Sequence, residues 1–172
     1  MAENENAQTP ETQQQEAQPV FQLQRCYLKD ASLEMPKAPE ILLSQQTQEP
    51  QVDIQFEVAQ RHVVDALFDI TVRGTVTVKV ADRVVVLVEG KQSGLFVIQG
   101  LPEEAMSHVT NVVCPGIIYP YLRANLADLM TRANLPPVHL PEVNFEILYQ
   151  QRLAQEAAEA AKAAEGQGEA QA

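Results

Sequence analysis

Between Ala66 and Val80 the chain alternates in a way that only an extended strand satisfies. Phe68, Ile70, Val72, Val76, Val78 and Val80 fall on one side; Asp69, Thr71, Arg73, Thr75, Thr77 and Lys79 fall on the other. Side chains of a strand point alternately to opposite faces, so this segment needs a sheet with one face on a core and one toward water. Two further stretches read the same way. In residues 20–34, VFQLQRCYLKDASLE, one parity holds Phe21, Leu23, Tyr27 and Leu33 and the other Cys26, Leu28, Asp30 and Glu34. Val52, Ile54, Phe56 and Val58 alternate against Asp53, Gln55, Glu57 and Ala59. Met35–Pro36 and Ala38–Pro39 end the first strand, and the polar stretch SQQTQEPQ leads to the second. Ala81–Asp82–Arg83 is short enough to join the third strand to a fourth as a hairpin. That fourth strand departs from the pattern, because Val84, Val85, Val86, Leu87 and Val88 are apolar on both faces. Two readings are open: a central strand covered on both sides, or an apolar surface that another chain covers.

After Gly100 the period changes. Pro102, Glu103 and Glu104 suit a first helical turn, and Ala105, Met106, Val109 and Val113 form an apolar stripe. Pro115–Gly116 is expected to stop this helix and Pro120 to restart one, with Leu122, Leu126, Leu129 and Met130 at helical spacing up to about Asn134. Pro136, Pro137 and Pro141 stiffen the next segment. Asn144 is a plausible N-cap for a last helix with Phe145, Leu148, Tyr149 and Leu153 on one side. Strands first and helices after imply an α+β fold, a four-stranded antiparallel sheet followed by two helices.

The ends differ from this core. Glu3, Glu5, Glu11 and Glu16 stand without a Lys or Arg in residues 1–19, which have almost nothing apolar and are expected to be disordered. Residues 151–172 begin as an Ala- and Glu-rich helix former and end in GQGEAQA, expected to fray. These ends hold more than half of a net charge of −11. An excess of negative charge argues against binding a nucleic-acid backbone. No apolar run approaches the roughly 20 residues of a membrane helix. Two cysteines, Cys26 and Cys114, do not make a disulfide scaffold, which favours a cytoplasmic protein. Catalytic chemistry finds little support: no Gly-rich phosphate loop, no CxxC, and His62, His108 and His139 far apart in sequence. Neither a metal nor a cofactor is expected.

Several segments together carry a resemblance. The run FQLQRCYLKDASLEMPKAP, then SGLFVIQG, CPGIIYPYLRANLADLM and LPPVHLPEVNFEILY, in that order from Val20 to Tyr149, resemble the SecB family of protein-export chaperones. The resemblance implies a chaperone domain over residues 20–150, assembled as a homotetramer that is a dimer of dimers, with no enzymatic activity. It implies a holdase that binds unfolded secretory precursors and passes them to the SecA motor ATPase, without inserting into the membrane.

In such a family an acidic sheet surface receives the motor, at positions matching Asp30, Glu34, Leu87 and Glu89 here. Client chains need exposed apolar grooves. The candidates are Val52, Ile54 and Phe56 on the second strand, Ile117, Ile118, Tyr119 and Tyr121 in the segment between the helices, and Phe145, Leu148 and Tyr149 on the last helix. Val84, Val86 and Val88 are candidates for an assembly or client surface. Two other functions remain open on the sequence: chaperone of a toxin–antitoxin pair with the same fold, and a small-ligand-binding α+β domain.

Overall fold

Four long strands form one antiparallel sheet in the order β1-β4-β3-β2. The computed structural model describes residues 18–43 and 48–168, with side chains up to residue 161; the acidic segment 1–17 and residues 169–172 lie outside the described residues. The strands are β1 (Val20–Glu34), β2 (Gln51–Val64), β3 (Leu67–Val80) and β4 (Arg83–Gln99). A single turn, α1 (Glu40–Leu43), sits between β1 and β2. Then come α2 (Glu103–His108), a π-helical turn at Val109–Val113, α3 (Cys114–Arg132) and α4 (Phe145–Gly168). The α+β architecture expected from the sequence is the one observed, and β3 and β4 do form a hairpin, with Ala81 and Asp82 at positive φ in its turn.

The helices cover one face of the sheet. Ile70, Val72 and Val76 of β3, with Val86, Val88, Phe96 and Ile98 of β4, pack against Ile118, Leu122, Leu126 and Met130 of α3. The fit depends on glycine. Gly74 and Gly90 are directly opposite in the β3–β4 ladder, and a Cβ on either would lie 2.9–3.1 Å from Leu126 or Leu122. A Cβ on Gly94 would come within 2.5 Å of Phe96 and 2.9 Å of Ile118. Between them Gln92, 2% exposed, accepts a hydrogen bond from Asn125 of α3 (2.8 Å) and donates one to Cys26 of β1 (3.2 Å). This polar knot is satisfied, so it fixes the position of helix over sheet without the cost of an orphaned group.

Three expectations need correction. Pro115–Gly116 does not stop a helix: α2, the π-helical turn and α3 run on continuously from Glu103 to Arg132. The wider turn lies directly before Pro115, whose missing N–H would otherwise leave a gap in the α-helical ladder. Pro120 is likewise inside α3 rather than at its start. Its partner four residues back is Gly116, which is exposed and has nothing within 4 Å of where a Cβ would stand, so water can reach the freed carbonyl. The alternation in β1 is also not strict. Register shifts at Leu23/Arg25 and Leu28/Asp30 move both Leu23 and Cys26 onto the core while Tyr27 turns to the other face. Finally, the last helix extends to Gly168, into the tail expected to fray.

Adding one methyl group at Gly94 forces Phe96 and Ile118 apart. Gly94→Ala should therefore lower unfolding stability by about 1–3 kcal/mol, the usual cost of overpacking a core, read from the urea midpoint at unchanged m-value. A midpoint equal to wild type would show that this contact yields freely.

Candidate binding grooves and charged sheet face

Along β2, an edge strand of the sheet, two apolar grooves open on the helix-covered side. The first, about 240 Å³, is lined by Phe56 and Val58 of β2, Asn111 of the π-helical turn, and Phe145, Leu148, Tyr149 and Arg152 of α4. Its floor is aromatic: Tyr119 meets Phe56 and Phe145 edge-on, at 5.6 Å between centroids in each case. Tyr119 is fixed by donating its hydroxyl to the carbonyl of Pro141, in the stiff segment before α4. Burial pushes its phenol above the ordinary value, so it stays neutral and a donor. Asn144 caps α4 through a bond from the Ile147 N–H (3.1 Å). The same end of α4 is held to α2 by His108–Glu146 (2.7 Å) and by Tyr149 donating to Ser107 (2.9 Å).

The second groove, about 230 Å³, lies farther along β2. Val52, Val78 and Val85 line it with Leu42 of α1 and Met130, Pro136 and Val138 of the helical side. Ile41, Val80 and Val85 form a small core of their own under it.

The opposite face of the sheet is polar and salt-bridged. In the β1–β4 register Asp30 faces Lys91, Ser32 faces Glu89 and Glu34 faces Leu87. The four positions Asp30, Glu34, Leu87 and Glu89 thus come together on one face, on adjacent strands. They are not a bare acidic patch, however. A ladder of alternating charge crosses all four strands: Asp30–Lys91 (3.3 Å), Lys91–Glu89 (3.9 Å), Glu89–Arg73 (2.6 Å) and Arg73–Glu57 (3.3 Å). The hydrogen bond from Arg73 holds the Glu89 carboxyl below its ordinary value, against the opposing effect of partial burial, with Lys91 and Thr75 helping. Toward the other end of the same face Asp69, 1% exposed, accepts bonds from Lys29 (2.8 Å), Tyr27 (3.1 Å) and Arg61 (3.3 Å). Burial raises its carboxyl, but these donors outweigh it and keep the pKa low.

The structure sorts the apolar candidates. Phe56, Tyr119, Phe145, Leu148 and Tyr149 assemble at the first groove and Val52 at the second; Ile54 is half-buried on β2 between them. Ile118 is fully buried under α3 and offers no surface, Ile117 is half-buried, and Tyr121 is exposed but lines neither groove. Val86 and Val88 are 1% and 0% exposed, because their parity points them at α3. Both pack in the core, although Val86 also lines the second groove, and Val84 is the half-buried member of that trio. Arg73, Lys91, Asn111 and Arg152 escaped sequence reasoning, since only register and helix packing bring them to these sites. Cys114 is fully buried and its thiol is pushed up to about 12 by desolvation, which makes it inert. Among the described residues no group of three or more His, Cys, Asp or Glu is placed to hold a metal, and no helix is long and apolar enough to cross a membrane.

An antiparallel sheet with helices on one face, open apolar grooves along an edge strand and a salt-bridged reverse face define the class: an α+β protein with one apolar and one charged surface. The family model of preprotein translocase subunit SecB matches residues 14–156. The chain belongs to the SecB family. The protein-export protein SecB of Acidovorax sp. (strain JS42) is 53% identical over 146 residues, covering 85% of this chain and 95% of that protein. The corresponding protein of Janthinobacterium sp. (strain Marseille) is 51% identical over 136 residues, covering 79% and 82%. Among solved structures, a SecB-like chaperone of Mycobacterium tuberculosis in complex with an antitoxin peptide superposes with a TM-score of 0.58 at 21% identity, covering 72% of this chain and 90% of that one. At that identity the likeness concerns the fold alone.

Because the folded pKa of Glu89 lies below its ordinary 4.5, its pairing stabilises the fold above that value and is lost as pH falls through the lowered pKa. Glu89→Gln should therefore be slightly less stable than wild type at pH 7, by less than about 1 kcal/mol for a partly exposed pair. The difference should shrink on acidification below pH 4.5, as followed by urea midpoints across pH. A difference that grows toward acid would contradict the pairing.

Proposed function

We propose that this protein is a holdase chaperone of the cytoplasm. It binds unfolded secretory precursors and hands them to the SecA motor ATPase, with no catalytic step of its own. The observation that supports this best is the aromatic groove of Phe56, Phe145, Leu148 and Tyr149, open to solvent on a folded chain and floored by Tyr119. Folding has left Leu148 exposed and Phe56 and Tyr149 half-buried there, although Phe145 and Tyr119 beside them belong to the core. An unfolded chain supplies what they lack, apolar and aromatic side chains not yet buried elsewhere.

Magnitudes decide how such binding works. Burying a large apolar side chain is worth about 1.5–3 kcal/mol, so two grooves on one protomer give only a weak, roughly millimolar hold once ordering costs are subtracted. Useful retention needs many grooves on one long client, which an assembly of four copies provides through effective concentration. A homotetramer built as a dimer of dimers fits this requirement. Exposed Val20, Phe21 and Leu28 on the edge strand β1, and Tyr121 on α3, supply apolar surface for contacts between copies in place of the buried Val86 and Val88.

The motor is assigned to the charged face, at Asp30, Glu34, Leu87 and Glu89. The toxin–antitoxin reading gains nothing specific, since the antitoxin peptide is bound by a chaperone only 21% identical to this chain, whereas relatives of about half identity are export proteins. For the ligand-binding reading, both apolar grooves fall below the roughly 300–1,000 Å³ of small-molecule sites. A wider recess, about 730 Å³, is an open depression between α2 and α4 lined partly by Glu104, His108 and Gln150.

Three measurements test the proposal. At stoichiometric tetramer the protein should slow the refolding of a reduced, unfolded secretory precursor, and Leu148→Asp should abolish most of that delay; an undelayed refolding with wild type counts against a holdase. Mass measurement in solution should give four chains. Separately, Asp30→Arg combined with Glu89→Arg should weaken binding of purified SecA at least tenfold while leaving the refolding delay intact. Equal loss of both would remove the division between the two faces.

A further inference from the structure

The charge ladder contains two cations of unequal hold. Arg73 lies between two carboxylates, with its Nη2 2.6 Å from Glu89 and its Nη1 3.3 Å from Glu57. Glu89 also accepts from Thr75, so this half of the ladder is fixed by directed bonds. Lys91 is held loosely. Its ammonium makes one hydrogen bond, 3.3 Å to Asp30, and stands 3.9 Å from Glu89, whereas Arg73 bonds two carboxylates although its own side chain is no less exposed, 43% against 36%. An exposed lysine pair of this kind contributes little, and a flexible four-carbon stem lets the ammonium swing into water without moving the strand.

We propose that Lys91 is a displaceable counterion built into the docking face: it occupies the space between Asp30 and Glu89 until a Lys or Arg of the partner replaces it. The inference rests on the assignment of this face to the motor and adds what sets the affinity and salt dependence of docking there. With Lys91 in place, an arriving cation exchanges one ammonium for another, so few solvent ions are released and the gain is small. Without it, Asp30 and Glu89 are screened by solvent cations that docking must expel, which makes binding tighter at low salt and more salt-sensitive. Arg73 plays the opposite part. It remains in place and presents the Glu89 carboxylate in one orientation, so the face has one fixed and one exchangeable positive charge.

The test compares full-length wild type with Lys91→Gln, Asp30→Arg and, as a control for net charge, Arg132→Gln. Arg132 pairs with Asp128 on α3, on the helical side of the sheet. Binding of purified SecA is measured by calorimetry or interferometry over a series of salt concentrations. Lys91→Gln should tighten binding at low salt about two- to fivefold, the range that one exposed ion pair spans, and should steepen the fall of affinity with salt. Arg132→Gln should change neither. If Lys91→Gln binds no more tightly than wild type while Asp30→Arg abolishes binding, the face is the docking site but Lys91 is not its exchangeable counterion. If Arg132→Gln tightens binding as much, bulk charge is the cause and the inference falls. If Asp30→Arg binds normally, it is the assignment of the face that fails.

Discussion

The close approach of α3 to the sheet is the constraint on which the rest of the molecule depends. Leu122 and Leu126 occupy the volume where side chains would stand at Gly74 and Gly90, a glycine pair facing each other across β3 and β4. Gly94 does the same for Ile118 and Phe96. With the helix seated so low, Tyr119 comes to lie at the level of β2, where it can meet Phe56 on one side and Phe145 on the other. A helix raised by the thickness of a methyl group would lose those edge-on contacts, and with them the aromatic floor. The polar knot of Gln92, Asn125 and Cys26 then fixes the helix laterally.

The sheet was legible in the sequence because its cause is local. Alternation in residues 66–80 follows from the two-residue period of a strand, and it places Ile70, Val72 and Val76 in the core without knowledge of any other segment. β1 was less transparent, because two register shifts let both parities of the strand reach the core in turn. The helical region misled for a different reason. Proline was weighed by what it forbids inside a regular α-helix, whereas a π-helical turn before Pro115 and the exposed, side-chain-free Gly116 behind Pro120 remove much of that cost. For Val84–Val88 the sequence showed apolar residues on both faces. Only the pairing of β4 between β1 and β3 shows that Val86 and Val88 point at α3.

The candidate sites divide in the same way. Asp30, Glu34, Leu87 and Glu89 share a face because parity along each strand guarantees it once β1 and β4 are neighbours, and the order β1-β4-β3-β2 makes them so. Their electrostatic state was not legible. Lys91 and Arg73 reach them across strands, from 61 residues away in the case of Asp30 and Lys91, and convert an acidic patch into a ladder of alternating sign. The groove residues Asn111 and Arg152 were likewise invisible to periodicity, since they sit on polar or half-polar positions of helices whose mutual placement is a tertiary fact.

The sheet also acts as a partition one strand thick. Val88 belongs to the core under α3, and its neighbour Glu89 to the charged ladder on the other side. The grooves and the ladder therefore open in opposite directions and come near each other only at the β2 edge, where Phe56 of the aromatic groove also borders a recess with Glu57, Arg73 and Thr75. The parts that reach beyond the partition are its ends, above all α4, which lines the aromatic groove at Phe145, Leu148, Tyr149 and Arg152 and then continues to Gly168. A change at the ladder can therefore reach the aromatic groove most directly at the β2 edge, where Phe56 and Glu57 are neighbours.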